Sequence, residues 1–224
     1  MKLRMKFKKD NLVKFISHLD MMRTFERAFR RADLPIAFTK GYNPRPKISF
    51  TPALSVGITS SSEYMDVEFY EDISIDDVAN RLNRVLPKGL QIIKVGIVDE
   101  KLPLSVLNCA VYVLKAALNT VNLQELKKSI NIILHQEEII VEKVTKSGTK
   151  FVNIAPLIYG IDLLSNDGNI VNVKIATSIG QQGSVSPKLI VLELEKLLKK
   201  KFEVLNIHRE ELFYTDENNK ILPL

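Results

Sequence analysis

Two periodicities follow one another at the start of the chain, and together they constrain what it can fold into. In residues 2–8, Lys-Leu-Arg-Met-Lys-Phe-Lys, basic and apolar residues alternate. That predicts a strand with Leu3, Met5 and Phe7 on one face. After Phe15-Ile-Ser-His-Leu-Asp the period becomes helical: Met21, Met22, Phe25, Phe29 and Ala32 fall on one side. Ser17 and Asp20 have the spacing of a capping box at the helix start. Leu34-Pro-Ile-Ala-Phe is a short extended segment, kept out of helix by Pro35. Strands follow at Ile48-Ser-Phe and at 63–70, then a helix from Ser74 to Leu86 closed by Pro87 and Gly89, then a strand from Leu90 to Val98. The order β-α-β-β-α-β is that of a ferredoxin-like unit.

The second half repeats the order of elements, with no repeat of residues. A strand spans 108–118, a helix 123–134 and a strand 139–145. A hairpin of 159–164 and 170–177 closes about Asn166-Asp-Gly-Asn. A helix runs from Pro187 to Lys199 and a strand from Phe202 to Phe213. The expected fold is therefore α+β, two ferredoxin-like units with antiparallel sheets. Residues 1–103 form the first and 104–224 the second, with the break near Glu100-Lys-Leu-Pro-Leu-Ser-Val-Leu.

Charge divides unevenly between these halves. The chain holds 32 Lys/Arg and 26 Asp/Glu. Residues 1–50 contain 13 of the basic and 4 of the acidic residues, a net of +9, leaving 19 against 22 in the other 174. A local basic surface of this kind suits a polyanionic partner, and equally a merely solvated face. No apolar run approaches the roughly 18 residues of a membrane span. The start also lacks the apolar stretch and cleavage site of a signal peptide. The single cysteine, Cys109, allows no internal disulfide and by itself no zinc or iron–sulfur cluster. A cytoplasmic protein without metal or cofactor is expected, with Cys109 buried and inert.

The basic residues concentrate at two places. Arg23, Arg27, Arg30 and Arg31 lie opposite the apolar stripe of the first helix, where their planar forks suit phosphates. Lys40, Arg45 and Lys47 belong to the loop Thr39-Lys-Gly-Tyr-Asn-Pro-Arg-Pro-Lys, and Tyr42 offers a ring on which an unpaired base stacks. Pairing of the arginines with Asp20, Glu26 or a neighbouring strand is the alternative. His18, in the first turn of the helix, is either a structural histidine or a neutral general base. His135 and His208 have no companions at metal-ligand spacing. Gly180-Gln-Gln-Gly-Ser-Val-Ser-Pro precedes the last helix without the Lys-Ser/Thr ending of a P-loop. Either it holds a phosphate on its N–H groups, or it is a loop with Ser186 as N-cap and Pro187 behind it.

The runs Phe15-Ile-Ser-His-Leu-Asp, Arg23-Thr-Phe-Glu-Arg-Ala-Phe-Arg-Arg-Ala, Leu34-Pro-Ile-Ala-Phe, Gly41-Tyr-Asn-Pro-Arg-Pro-Lys-Ile-Ser-Phe, Leu54-Ser-Val-Gly and Glu63-Tyr-Met-Asp-Val resemble the radical-SAM-linked domain of unknown function. The likeness is dense over residues 1–70 and looser at Asn153-Ile-Ala-Pro and Gln182-Gly-Ser-Val-Ser-Pro, where members often carry arginine in place of Ser186. It implies an accessory partner of a radical SAM protein and assigns no catalytic residue. The sequence lacks that enzyme's three-cysteine motif.

These readings combine into a non-catalytic RNA-binding module that works with a radical SAM enzyme in RNA modification or maturation. Two alternatives stay open. One is a metal-independent RNA endonuclease of the CRISPR repeat-RNA type, with His18 as base and Arg23 or Arg27 stabilising charge on phosphorus. The other is a protein-interaction scaffold.

Overall fold

A computed structural model describes every residue except 119–121, 146–147, 181–182 and 217–219, and the backbone alone of 143–145. The fold is mixed α/β, with four α-helices among the described residues and a mostly antiparallel sheet. The chain divides into two compact units, Met1–Leu107 with Glu211–Leu224, and Asn108–Glu210.

The first unit begins with β1 (Lys2–Lys9), α1 (His18–Arg31), β2 (Ile48–Phe50), β3 (Thr59–Glu68), α2 (Ile75–Val85) and β4 (Leu90–Ile97). Strand β1 pairs antiparallel with β3 and with β4, and β2 pairs antiparallel with β3. The alternation of β1 puts Leu3, Met5 and Phe7 into one core with Met21, Phe25 and Phe29 of α1 and Val78 and Leu82 of α2. Each such side chain, fully buried, contributes roughly 1.5–3 kcal/mol.

Helix α1 starts and stops for local reasons. Ser17 Oγ accepts from the Asp20 amide at 3.1 Å and donates to the Asp20 carboxylate at 2.7 Å, satisfying a backbone donor that the first turn leaves open. At the other end Asp33 turns left-handed at φ 50°. Its amide then reaches the Arg30 carbonyl, and the Leu34 amide reaches that of Phe29, a Schellman ending. Arg81 of α2 donates to the carbonyls of Ala32 and Asp33, and Arg31 of α1 donates to the Val85 carbonyl at the end of α2. The two helices thus exchange arginines at their negative ends, where cations are favoured.

The opposite face of β1 departs from the simple alternating pattern. Arg4, which alternation assigns to the polar side, is fully buried. The chain end covers it: Arg4 donates to the Pro223 carbonyl, and Leu224 packs so near Gly96 that a Cβ there would lie 2.6 Å from Leu224 Cδ2 and displace that side chain.

The second unit contains β5 (Cys109–Ala117), α3 (Leu123–His135), β6 (Ile140–Thr145), β7 (Gly148–Asn153), β8 (Ile158–Asp167), β9 (Ile170–Ser178), α4 (Pro187–Leu198) and the first part of β10 (Glu203–Thr215). Its strands run in the order β10-β5-β9-β8, while β6 and β7 form a separate two-stranded ribbon. The hairpin of β8 and β9 turns at Gly168, whose φ of 58° is the left-handed conformation a two-residue loop needs. Ser186 caps α4 through the Lys188 amide, with Pro187 in its first turn. Of the glycine-containing loop before it, Gln181 and Gln182 lie outside the described residues. The last strand, β11 (Lys220–Ile221), pairs with the end of β10 in the first unit.

Candidate nucleic-acid interface

Two segments of the first unit carry the basic residues singled out above, and the backbone fixes where each lies. On α1 the apolar stripe is buried, so Arg23, Arg27, Arg30 and Arg31 are left exposed. The loop of residues 39–47 is the tip of a narrow ribbon. The Thr39 amide donates to the Arg45 carbonyl and the Arg45 amide to the Thr39 hydroxyl, at 2.9 Å each, Phe38 bridges Pro46, and the Lys47 amide donates to Ala37. Its root continues the sheet, since Ile36 bridges Phe69 and the Glu68 amide donates to Lys47. Lys40, Tyr42 and Arg45 stand at the exposed tip, and the Tyr42 ring is 99% exposed.

The cations are not equivalent. Arg23 lies 3.7 Å from Asp20 with both side chains exposed, a contact worth at most about 1 kcal/mol and easily exchanged. Lys47 is held more closely, at 2.6 Å from Glu68, again on the surface. Arg31 is engaged with the Val85 carbonyl. Arg27, Arg30, Lys40 and Arg45 have exposed side chains with no ion pair among the described residues.

A shallow cavity of about 360 Å³ lies between the end of α1 and the segment that leads into the loop. Arg30 and Asp33 from the end of α1, Pro35 and Phe38 from the segment before the loop, and Tyr70 and Glu71 after β3 line it. Phe38 is 42% and Tyr70 71% exposed, over a floor of buried Leu34 and Ile36. Neither ring was singled out by charge or motif. Sequence carries one signal for them, an aromatic residue at the outer end of each of two neighbouring extended segments.

His18 is the first residue of α1 and half-buried. Its ring meets Phe50 edge-on at 5.8 Å, and Phe50 also contacts Phe7 and Phe25. Cys109 is buried at the start of β5. Among the described residues, no group of His, Cys, Asp and Glu has the geometry to hold a metal. No described helix is long and apolar enough to cross a membrane. A second cavity, of about 380 Å³ at the end of α4, is lined by Lys196, Lys199, Lys200 and Lys201. Glu193, Glu125 and Glu195 pair with three of these lysines.

Over residues 2–187 the sequence matches the family described as "Uncharacterized protein conserved in bacteria (DUF2344)", and the chain belongs to that family. No curated protein matches it. Its fold is similar to a chain of a Cbf5-Nop10-Gar1 complex, at 10% identity and a TM-score of 0.55, over 96% of this chain and 50% of that one. It is also similar to a chain of the archaeal box H/ACA sRNP Nop10-Cbf5 complex, at 10% identity and a TM-score of 0.50, over 92% and 46%. A third likeness is to a chain of an H/ACA RNP bound to a substrate RNA containing 2'-deoxyuridine, at 9% identity and a TM-score of 0.51, over 92% and 46%. The chain spans about half the length of the solved chains it matches, and at such identities the likeness is one of fold.

Proposed function

We propose that this family member is a non-catalytic RNA-binding module, and that its binding face is the exposed side of α1 together with the 39–47 loop. The observation that carries the reading is the cavity wall. Arg30 and Phe38 line one cavity, and Phe38 is bridged to Pro46, which supports reading the end of α1 and the root of the loop that bears Lys40, Tyr42, Arg45 and Lys47 as neighbours. Guanidinium forks and ammonium groups along such a face bind phosphates, and an outward ring takes a base by stacking. Fold alone does not carry function. That similar folds occur in chains of H/ACA ribonucleoproteins is in keeping with the reading.

The architecture we infer is of two ferredoxin-like units. The strand order β4-β1-β3-β2 supports it in the first, and β10-β5-β9-β8, with the β6–β7 ribbon inserted, supports it in the second. The partner we infer is a cytoplasmic radical SAM enzyme, to which this protein presents RNA. The likeness of residues 1–70 to the radical-SAM-linked domain supports that assignment. Ultraviolet crosslinking in the native cells, followed by purification and sequencing of attached RNA, tests the reading. One recurrent class of RNA, lost when Arg27 and Arg45 are replaced by Gln, is expected; recovery of no RNA above a mock purification contradicts it.

A further inference from the structure

We propose that the cavity between the end of α1 and the end of β3 receives an unstacked guanine base of the bound RNA. The proposal rests on the RNA-binding reading and adds which base is recognised and where. At about 360 Å³ the cavity is at the small end of ligand sites, suited to one flat group. Its apolar floor is Leu34 and Ile36, and its rim carries the rings of Phe38 and Tyr70, both presenting area to solvent. Exposed rings beside a cation are what single-strand binding proteins use to hold extruded bases. Arg30, with no ion pair among the described residues, is placed to take the phosphate of the same nucleotide.

The carboxylates choose the base. Asp33 has Arg81 as a neighbour at 3.9 Å, whereas Glu71 is exposed with no ion pair among the described residues. An ionised carboxylate only accepts hydrogen bonds, and it has two oxygens to do so. Guanine offers imino and amino N–H groups side by side on its Watson–Crick edge, which match both oxygens. Uracil flanks its one N–H with carbonyls, while adenine and cytosine set a lone pair beside the amino group.

The test uses the full chain and two fluorescein-labelled RNA heptamers, UUUGUUU and UUUUUUU, followed by fluorescence anisotropy. The guanine heptamer is expected to bind about tenfold more tightly, a bidentate contact's worth. Glu71→Gln should bring the two heptamers within about twofold of each other, with UUUUUUU bound no more weakly than by the unaltered protein. Tyr70→Ala should weaken the guanine heptamer by about fivefold or more, at an unchanged melting temperature because the side chain is exposed. Equal, salt-dependent binding of both heptamers to the unaltered protein would overturn the guanine site and leave the basic-face reading standing. A preference that survives both substitutions would also overturn it. Binding of neither heptamer at low salt would overturn both proposals.

Discussion

Arg4 and Asp66 sit directly opposite one another on β1 and β3, buried, with two parallel hydrogen bonds of 2.7 and 2.8 Å between guanidinium and carboxylate. The remaining guanidinium nitrogen donates to the carbonyls of Leu102 and Pro223 at 2.8 and 3.3 Å, fastening the end of the chain to the sheet. Asp66→Ala would leave a buried cation without its partner, and a loss of roughly 3–5 kcal/mol in urea denaturation is expected. The double substitution Arg4→Met with Asp66→Leu removes both charges and should cost clearly less than Asp66→Ala alone.

That pair also marks where sequence reading stops. Alternation in residues 2–8 gave the core face correctly, because Leu3, Met5 and Phe7 repeat every second residue. Nothing local shows that Arg4, on the polar side, is covered by a segment more than two hundred residues away. The first helix was legible down to its Ser17 cap, since capping and amphipathicity are both local. Strand β3 begins at Thr59 rather than at residue 63, because Thr59 and Ser60 lack apolar alternation yet are buried in the sheet. Strand β7 was missed for the opposite reason: Gly148–Phe151 is exposed on both faces and carries no pattern. Charge and spacing treat the basic residues of α1 and the loop alike, but Arg31 and Lys47 have partners set by tertiary folding.

The arginines of α1 should therefore separate by experiment. Arg27→Gln removes an exposed cation and should weaken RNA binding with no change in melting temperature. Arg31→Gln removes a donor from the end of α2 and should lower stability by about 0.5–1.5 kcal/mol. Thermal denaturation beside anisotropy distinguishes the two.

His18 tests the absence of catalysis. The purified protein is expected to leave RNA intact with or without added metal, as judged by denaturing gels. His18→Ala should change only stability, on the ~1 kcal/mol scale of an altered helix start. Defined fragments that vanish in His18→Ala would instead make the protein a nuclease.

The second unit carries a pH marker. The Glu125 carboxyl is held below its ordinary value, first by the hydrogen bond from Lys200 Nζ at 3.0 Å and then by that ammonium's charge. A depressed carboxylate stabilises the fold above its unfolded value, and that contribution fades as pH falls through the folded one. Lys200→Gln should move the Glu125 titration, followed by carboxyl carbon NMR, upward toward the ordinary glutamate range.

Salt dependence of RNA affinity reads the phosphate contacts of this face themselves. If α1 and the 39–47 loop bind phosphates, the logarithm of the association constant should fall linearly with that of salt concentration. The expected slope is about −0.7 per contact on single strands. Arg27→Gln with Arg45→Gln should make the slope shallower by roughly 0.7–1 per lost contact. Tyr42→Ala should weaken binding by roughly 1–3 kcal/mol at an unchanged slope. Binding undetectable at low salt, or a slope that the double substitution leaves unaltered, would contradict an RNA interface on this face.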